Sequence, residues 1–215
     1  MKPVEILTVC RSGGEAEKCR ETLPIFDCFD WRVSADSLAD PEMPETLFTI
    51  FPAGGAVVAT MRQIEIASQL ASFLYIPGEI CRQGDVLEAA AKSGRRVYLE
   101  RGPFLAPPDI LRAIDKLSGA DVVVVEAGSA FGYSDRVLDP RALALVRDSG
   151  TPVALHLSEL LEPRGARYRW RSQWSIDVRF VEAYVNAAKA FGVHTFVCDE
   201  FRHPGLSRDL AATLS

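Results

Sequence analysis

Short apolar runs that alternate with helical patterns are the feature that most restricts the fold of this 215-residue chain. Three such runs lie at residues 97–99, 122–125 and 153–157, and each is followed by polar or glycine residues. A helix's length of sequence separates each run from the next, as a crossover between parallel strands requires. The runs are apolar without alternation, which is typical of strands covered on both faces. The pattern therefore predicts a parallel sheet covered by helices.

The same alternation continues on both sides of this region and gives eight strand candidates. They lie at residues 4–9, 28–33, 47–51, 73–76, 97–99, 122–125, 153–157 and 195–198. The candidate at 28–33 is the weakest, because Asp30 and Arg32 interrupt it. Helical patterns occupy residues 15–23, 56–70 and 175–191, among other intervals. Eight strands joined by helices or loops close most simply into a (β/α)8 TIM barrel, compact and shortened in its first half. An open, doubly wound α/β sheet is the alternative.

A single domain over residues 1–215 is expected, because the chain has no internal repeat, no low-complexity segment and no linker. Apolar strand residues of a barrel line its core or contact its helix layer. We therefore expect five of them to be buried, namely Val97, Val123, Val125, Ala154 and Phe196.

Five short motifs in the last two thirds of the chain share their order and spacing with one enzyme family. They are Cys81-Arg82-Gln83, Ala91-Lys92-Ser93-Gly94, Phe104-Leu105-Ala106-Pro107, Phe131-Gly132-Tyr133 and Val137-Leu138-Asp139. In this register the chain resembles the 3-deoxy-manno-octulosonate 8-phosphate (KDO-8-phosphate) synthase family of the class I DAHP synthase superfamily. The resemblance implies a barrel that condenses phosphoenolpyruvate with a phosphorylated aldose and releases phosphate. It also implies a homo-oligomer, with the aromatic loop at 131–133 at or near an interface.

Polar side chains that follow the predicted strands are the candidates for acid–base chemistry. The C-terminal ends of parallel barrel strands converge on one face, which is where barrel enzymes keep their active sites. Glu126, His156 and Glu159 follow two successive strands. We predict that these three residues transfer protons during catalysis.

A second set of residues at the same strand ends is predicted to bind a small anionic or sugar-phosphate substrate. This set consists of Arg82, Gln83, Arg101 and Ser129. Arg101 is the best placed of them, because Gly102 beside it lets a ligand approach the backbone. A phosphate needs several charge-assisted donors of this kind to offset its desolvation.

A divalent metal is a further implication of the resemblance, since some members of the family hold one through Cys, His, Glu and Asp. By position, Cys10, Asp199 and Asp209 match the Cys, the Glu and the Asp, while Glu159 stands where the His is expected. One thiolate with carboxylates is a possible site for manganese, iron or zinc. The alternative is a surface acidic cluster beside a buried thiol.

The chain departs from the family where phosphoenolpyruvate is bound. Glu100-Arg101 replaces a pair of lysines, and Ala127 stands where an arginine is expected. Two alternatives to a synthase therefore stay open. One is a diverged barrel enzyme that acts on another small anionic substrate, with Glu100, Glu126 and Glu159 as acid–base groups. The other is a non-catalytic relative that scaffolds or regulates a partner.

Composition restricts partners and compartment. A formal net charge of −5 and a pI near 5.3 argue against binding to nucleic acid or to an anionic membrane. No apolar run has the length of a membrane span and the N-terminus lacks a signal-peptide pattern, so a cytoplasmic protein is expected.

Five cysteines without a CxxC spacing are typical of free, reduced thiols. None of the five lysines follows an apolar strand, which disfavours a Schiff-base aldolase.

Overall fold

The computed structural model describes residues 4–27, 45–130, 135–162 and 178–214. In this part of the chain, eight parallel strands form a closed barrel in which each strand pairs with the next and the last pairs with the first. The strands are β1 (Glu5–Cys10), β2 (Leu23–Phe26), β3 (Gly55–Val57), β4 (Phe73–Ile76), β5 (Arg96–Glu100), β6 (Val122–Glu126), β7 (Val153–His156) and β8 (Thr195–Asp199). The predicted (β/α)8 barrel is confirmed, and the open sheet is excluded.

Helices follow the strands and cover the outside of the barrel. They are α1 (Gly13–Lys18), α2 (Glu45–Ile50), α3 (Met61–Leu70), α4 (Gly84–Lys92), α5 (Asp109–Lys116), α6 (Pro140–Asp148), α7 (Leu157–Leu161), α8 (Val178–Ala190) and α9 (Leu206–Leu214). A 3-10 turn at Gly78–Ile80 precedes α4. No helix within the described ranges combines the length and the apolar character that a membrane span needs.

The second strand lies earlier in the chain than the sequence pattern indicates. β2 pairs with β1 through Leu7 opposite Leu23 and Cys10 opposite Phe26. The helix predicted at 15–23 is correspondingly short, since α1 ends at Lys18. Pro24 lies within β2. Proline has no backbone N–H, so a strand tolerates it at a position where the ladder needs no donor. The strand predicted at 28–33 lies outside the described residues.

The strand predicted at 47–51 is wrong, because these residues belong mostly to α2. A short apolar run does not distinguish a strand from one buried turn of helix by periodicity alone. Within α2, Phe48 is buried while Ile50 is exposed, so only one side of the segment contacts the barrel. The third strand is Gly55–Val57 instead.

The helix predicted at 56–70 begins only at Met61, after a capping box. Thr60 Oγ1 accepts a hydrogen bond from the Gln63 backbone N–H at 3.2 Å, and Gln63 Oε1 accepts one from the Thr60 backbone N–H at 3.2 Å. This reciprocal pairing satisfies two N–H groups that would lack partners at a helix start. It fixes the start of α3 and leaves the residues before it to form β3.

Side chains on the strands alternate between the barrel interior and the helix layer, because successive residues of a strand point to opposite faces. The interior is filled by apolar side chains such as Val9, Tyr75 and Tyr98. The five residues predicted to be buried are all buried, with Val97 and Phe196 on the outer side and Val123, Val125 and Ala154 on the inner side.

Candidate active site

A small cavity lies at the C-terminal mouth of the barrel. Its volume is about 50 Å³, and the side chains around it include Arg11, Tyr75, Glu100, His156, Glu159 and Arg202. Tyr75, Glu100 and His156 belong to the inward-facing series of their strands. Tyr75 points inward, and Glu100 and His156 follow two residues after the inward-facing Tyr98 and Ala154. The pleat therefore selects which strand-end residues reach the mouth. A cavity of this volume holds a few water molecules and is well below the roughly 300–1,000 Å³ of most ligand pockets.

Glu100 is the central acid of the mouth and does not belong to the site residues that the synthase hypothesis predicts. Its Oε2 accepts a hydrogen bond from the Tyr75 hydroxyl at 2.8 Å, and its Oε1 lies 3.1 Å from Arg136 Nη1. Burial, together with the negative charge of Glu159, raises the pKa of Glu100 to about 7, although Arg136 opposes the shift. Glu100 can therefore exchange a proton near neutral pH.

Two arginines connect Glu100 to the other carboxylates of the mouth. Arg136 Nη2 lies 2.6 Å from Glu159 Oε2, and Arg202 Nη2 lies 2.7 Å from Glu159 Oε1. Arg202 also contacts Asp199 through Nε. We call Tyr75, Glu100, Arg136, Glu159, Arg202 and Asp199 the mouth network. Arginines held between carboxylates in this way keep a row of buried charges paired.

One hydrogen-bond donor of Arg136 has no acceptor within this network. The residue is only 3% exposed, and its Nη1 also donates to the Ala127 carbonyl at 3.3 Å. Its Nε is buried and has no hydrogen-bond acceptor among the described residues. A buried N–H without an acceptor is costly, so this atom is a donor of Arg136 that the described residues leave unsatisfied.

The predicted proton-transfer residues His156 and Glu159 both reach the mouth. His156 Nδ1 accepts a hydrogen bond from the Glu159 backbone N–H at 3.4 Å, which fixes the imidazole over the start of α7. In the neutral ring this bond places the proton on Nε2. Its ring centroid lies 6.4 Å from that of Tyr75, in an edge-to-face arrangement.

Arg11 is the most accessible cation of the mouth. Its guanidinium lies 3.8 Å from the centroid of the Phe201 ring, and its Nη2 lies 3.7 Å from Asp27 Oδ2. The side chain is 42% exposed, so it contacts both the cavity and solvent. The stacked ring restricts the guanidinium without using its hydrogen-bond donors.

Arg101, Glu126 and Ser129, predicted as site residues, form a separate cluster that does not line the cavity. Arg101 Nε and Nη2 pair with the two oxygens of Glu126 at 2.7 and 2.6 Å, and Nη2 also lies 2.9 Å from Ser129 Oγ. Nη1 donates to the Leu105 carbonyl. Arg101 is 0% exposed and all three of its nitrogens have acceptors. This outward-facing pair fastens the loops after β5 and β6, and its donors are already used.

Arg82 and Gln83 also lie away from the mouth. Both are exposed and stand just before α4, and Arg82 lines a groove between α4 and α5 on the outside of the barrel. The structure therefore brings together only His156 and Glu159 from the predicted catalytic set, and none of the predicted substrate-binding set, at the cavity.

The residues predicted to hold a metal do not fit a divalent cation. Cys10 packs on the outer side of β1 with its Sγ 3.5 Å from the Thr8 carbonyl, on the face opposite to that of the inward-facing Asp199. Asp199 faces inward and is engaged by Arg202, while Asp209 is exposed on α9. Among the described residues, no three His, Cys, Asp or Glu side chains converge as a metal site.

Three members of the mouth network give little signal in the sequence. Tyr75 lies inside an apolar strand, and Arg136 lies on a loop nine residues after Ala127, whose carbonyl it contacts. Arg202 follows β8 by three residues, which is the spacing at which its Nε reaches the Asp199 carboxylate. Of the three, only Arg202 is close enough to a predicted strand end to be suspected from sequence.

Comparison with known proteins supports the resemblance that the motifs indicate. No family model matches the chain. It is 37% identical over 139 residues to a 2-dehydro-3-deoxyphosphooctonate aldolase of Chelativorans sp. (strain BNC1), a match that covers 63% of this chain and 49% of the relative. The proteins of the same name from Syntrophotalea carbinolica and a Synechococcus strain are 38% identical over 135 residues and 35% identical over 147 residues; these matches cover 61% and 66% of this chain and 47% and 50% of the relatives. The chain thus spans about half the length of these relatives, and its similarity to the KDO-8-phosphate synthase superfamily is confirmed.

Proposed function

We propose that this barrel carries out an aldol-type condensation of the kind named for its relatives, joining phosphoenolpyruvate to a phosphorylated aldose at the mouth of the barrel. The relatives' name describes an eight-carbon acid phosphate. Removing the three carbons of phosphoenolpyruvate leaves a five-carbon aldose phosphate as the second substrate. A protein of this kind would act on small anionic molecules, without nucleic acid or membrane.

The observation that carries the proposal is the hydrogen-bonded acid at the centre of the mouth. Glu100 is buried, holds the Tyr75 hydroxyl at 2.8 Å and has its pKa raised to about 7. A group with this pKa is present in both protonation states at neutral pH, which is the condition for efficient general acid–base catalysis. His156 stands beside it as a second group able to accept or donate a proton.

The reaction gives these groups definite tasks. A carbon–carbon bond forms between the methylene carbon of phosphoenolpyruvate and the aldehyde carbon, and the aldehyde oxygen takes up a proton. Water adds to the central carbon and loses one proton. The carbon–oxygen bond to phosphate then breaks as the remaining hydroxyl becomes the ketone and gives its proton to the departing phosphate. Protonated Glu100 would supply the first proton, and His156 or Glu159 would take the one released from water.

Arginines of the mouth would bind the anionic groups of the substrates. Arg11 reaches both cavity and solvent, and Arg136 offers a buried Nε without an acceptor in the described part of the chain. Charge-assisted bonds from two guanidinium groups are suited to a carboxylate or a phosphate. Arg101 is excluded from this task by its bonds to Glu126 and Ser129.

A non-catalytic relative with a scaffolding or regulatory role is the second candidate, and one observation favours it. The mouth cavity has a volume of only about 50 Å³, and Arg202 in its lining is held by ion pairs to Glu159, Glu162 and Asp199. Catalysis on two phosphorylated substrates requires these pairs to open. A protein that only keeps the barrel and its outer surface does not.

Phosphate release decides between the two candidates. The unmodified protein is incubated with phosphoenolpyruvate and pentose 5-phosphates, each alone and together, and free phosphate is measured. We expect release that requires both substrates, with kcat lowered at least tenfold in Glu100→Gln and unchanged in the control Glu65→Gln on the exposed side of α3. Absence of both phosphate release and calorimetric binding of millimolar phosphoenolpyruvate would exclude the condensation and favour the non-catalytic candidate.

A further inference from the structure

A second and larger cavity lies outside the barrel, in the groove between α4 and α5. Its volume is about 240 Å³, against about 50 Å³ at the mouth. Leu87, Leu105 and Ala113 form an apolar wall. All three are buried, so this wall is a fixed part of the helix layer. The groove shares no residue with the mouth network.

Three cations line the same groove with little to balance them. They are Arg82, Arg112 and Lys116, and Asp109 is the one carboxylate of the lining. Asp109 Oδ1 is 3.8 Å from Arg112 Nη1, which is a weak contact, and the Arg112 side chain is 86% exposed. Arg82 and Lys116 have no hydrogen bond or ion pair with any described residue. The lining therefore carries a net positive charge in a chain whose net charge is −5.

The ammonium group of Lys116 lies beside the start of a helix, where a positive charge is unfavourable without an anion. A Cβ added to Gly84, the first residue of α4, would lie 2.6 Å from Lys116 Nζ, so the ammonium rests on the first turn of that helix. The preceding residue, Gln83, makes no capping hydrogen bond with its side chain. The start of a helix carries partial positive charge and favours anions, and the exposed Asp85 is the acidic residue of this turn. An anion between Lys116, Arg82 and the helix start would remove this conflict.

We propose that the groove between α4 and α5 binds a small anion with an apolar body, such as an organic phosphate monoester. The charged group is bound by Lys116, Arg82 and Arg112, and the apolar body rests on Leu87, Leu105 and Ala113. This site is distinct from the barrel mouth, so it is available whether or not the mouth carries out the proposed condensation. The need for both charge and apolar contact distinguishes its ligand from a simple counter-ion.

Titration calorimetry with two probes, inorganic phosphate and phenyl phosphate, tests the proposal. We expect phenyl phosphate to bind at least fivefold more tightly than inorganic phosphate, because only the ester contacts the apolar wall. Lys116→Gln and Arg112→Gln should each weaken phenyl phosphate about five- to tenfold, since each removes one charge-assisted contact. Arg62→Gln is the control, because it removes an exposed cation on α3 that is paired with Glu65 outside the groove.

Three outcomes would overturn the site. The first is equal affinity for the two probes, and the second is an affinity that neither groove variant changes. The third is loss of binding in Arg11→Gln but not in Lys116→Gln, which would place the anion at the mouth. A thermal unfolding experiment in phosphate-free buffer gives an independent check. Lys116→Gln should leave Tm unchanged or raise it, because an uncompensated cation is removed, and a lower Tm would contradict the charge argument.

Discussion

Two clusters of buried arginine and carboxylate stand on neighbouring strands of this barrel and differ in what they can do. In the outward-facing cluster after β5 and β6, Arg101 and Glu126 pair through two hydrogen bonds of 2.7 and 2.6 Å. In the inward-facing cluster, Arg136 lies between Glu100 and Glu159 at 3.1 and 2.6 Å. Both arginines are almost fully buried. Burial and pairing alone therefore do not identify a functional charge.

The difference lies in what each pair leaves unsatisfied. Every nitrogen of Arg101 has an acceptor, and Glu126 Oε1 also accepts from the Gly128 backbone N–H at 2.9 Å. Arg136 keeps a buried Nε without an acceptor in the described part of the chain, and the pKa of Glu100 is raised to about 7. The outward pair stabilises the structure. The inward pair has a carboxyl group at the cavity that can be protonated near neutral pH, and an arginine N–H that lacks an acceptor in the described part of the chain. Glu100 and Arg101 are adjacent in the chain, but the strand pleat directs the first side chain toward the mouth and the second toward the helix layer. They therefore belong to different clusters.

Removing Arg101 should have the largest effect on stability. Arg101→Leu leaves Glu126 buried without its counter-charge, and we expect a loss of about 3–5 kcal/mol in the free energy of unfolding. Urea unfolding followed by circular dichroism measures it. The double variant Arg101→Leu/Glu126→Leu should recover most of the loss, because no buried charge is then left unpaired. A loss below about 1 kcal/mol in the single variant would show that Arg101 is not a structural residue and would restore it as a substrate ligand.

Removing Arg136 should cost less, about 2–3 kcal/mol, although it too is buried between two carboxylates. Glu100 can take up a proton once its partner is gone, and Glu159 keeps Arg202 as a partner at 2.7 Å. The same unfolding experiment on Arg136→Leu tests this order. If Arg136→Leu is more destabilising than Arg101→Leu, the inward cluster is the structural one and the comparison is reversed.

The stability effect of Glu100→Gln should depend on pH in a defined direction. The pKa of Glu100 is raised from its ordinary value of 4.5 to about 7, so the folded state holds a proton more firmly than the unfolded chain does. The stability that this proton contributes is complete below about pH 4.5 and is lost as the pH rises through about 7. The amide that replaces the carboxyl group in this variant is neutral at every pH in this range.

We therefore expect the free energy of unfolding of Glu100→Gln, relative to the unmodified protein, to rise by about 2–3 kcal/mol between pH 5 and pH 8. Unfolding curves at both pH values measure the change, and Glu65→Gln on the exposed side of α3 is the matched control. A difference that stays constant with pH, or that falls, would show that Glu100 is ionised throughout this range.

The smallest effect is expected at the accessible cation of the mouth. Arg11→Gln should weaken phosphoenolpyruvate binding about three- to tenfold, since Arg11 is 42% exposed and its charge is partly screened by solvent. Calorimetry on the unmodified and altered proteins measures the two affinities, with Arg62→Gln as the control. Unchanged affinity would mean that the mouth does not bind the anion through Arg11 and would leave Arg136 as its one proposed ligand.

Homo-oligomerisation through the loop at 131–133 stays a prediction, because this loop lies outside the described residues. Sedimentation at micromolar concentration tests it, and a strict monomer would contradict it.

Much of the second half of the barrel could be predicted from the sequence, and less of the first half. The strands β4 to β8 coincide with apolar runs that are bounded by polar or glycine residues. In the first half, α2 has an apolar run that resembles a strand, and β3 is three residues long and lies in an apolar stretch that the sequence pattern assigns to a helix at 56–70. Short elements carry too few residues for periodicity to separate helix from strand, so pairing with their neighbours decides their form.

The sequence by itself determined the alternation of strands and helices in the second half of the barrel, the superfamily resemblance and the presence of charged residues at the strand ends. Only the tertiary structure decided which of those residues face the mouth. Because side chains alternate along a strand, a shift of one residue moves a charge from the cavity to the helix layer, as Glu100 and Arg101 demonstrate. Partners distant in the chain, such as Arg136 and Glu100, meet only when the barrel closes. The amino-acid composition and the spacing of residues do not predict this contact, since it depends on the three-dimensional path of the strands and loops.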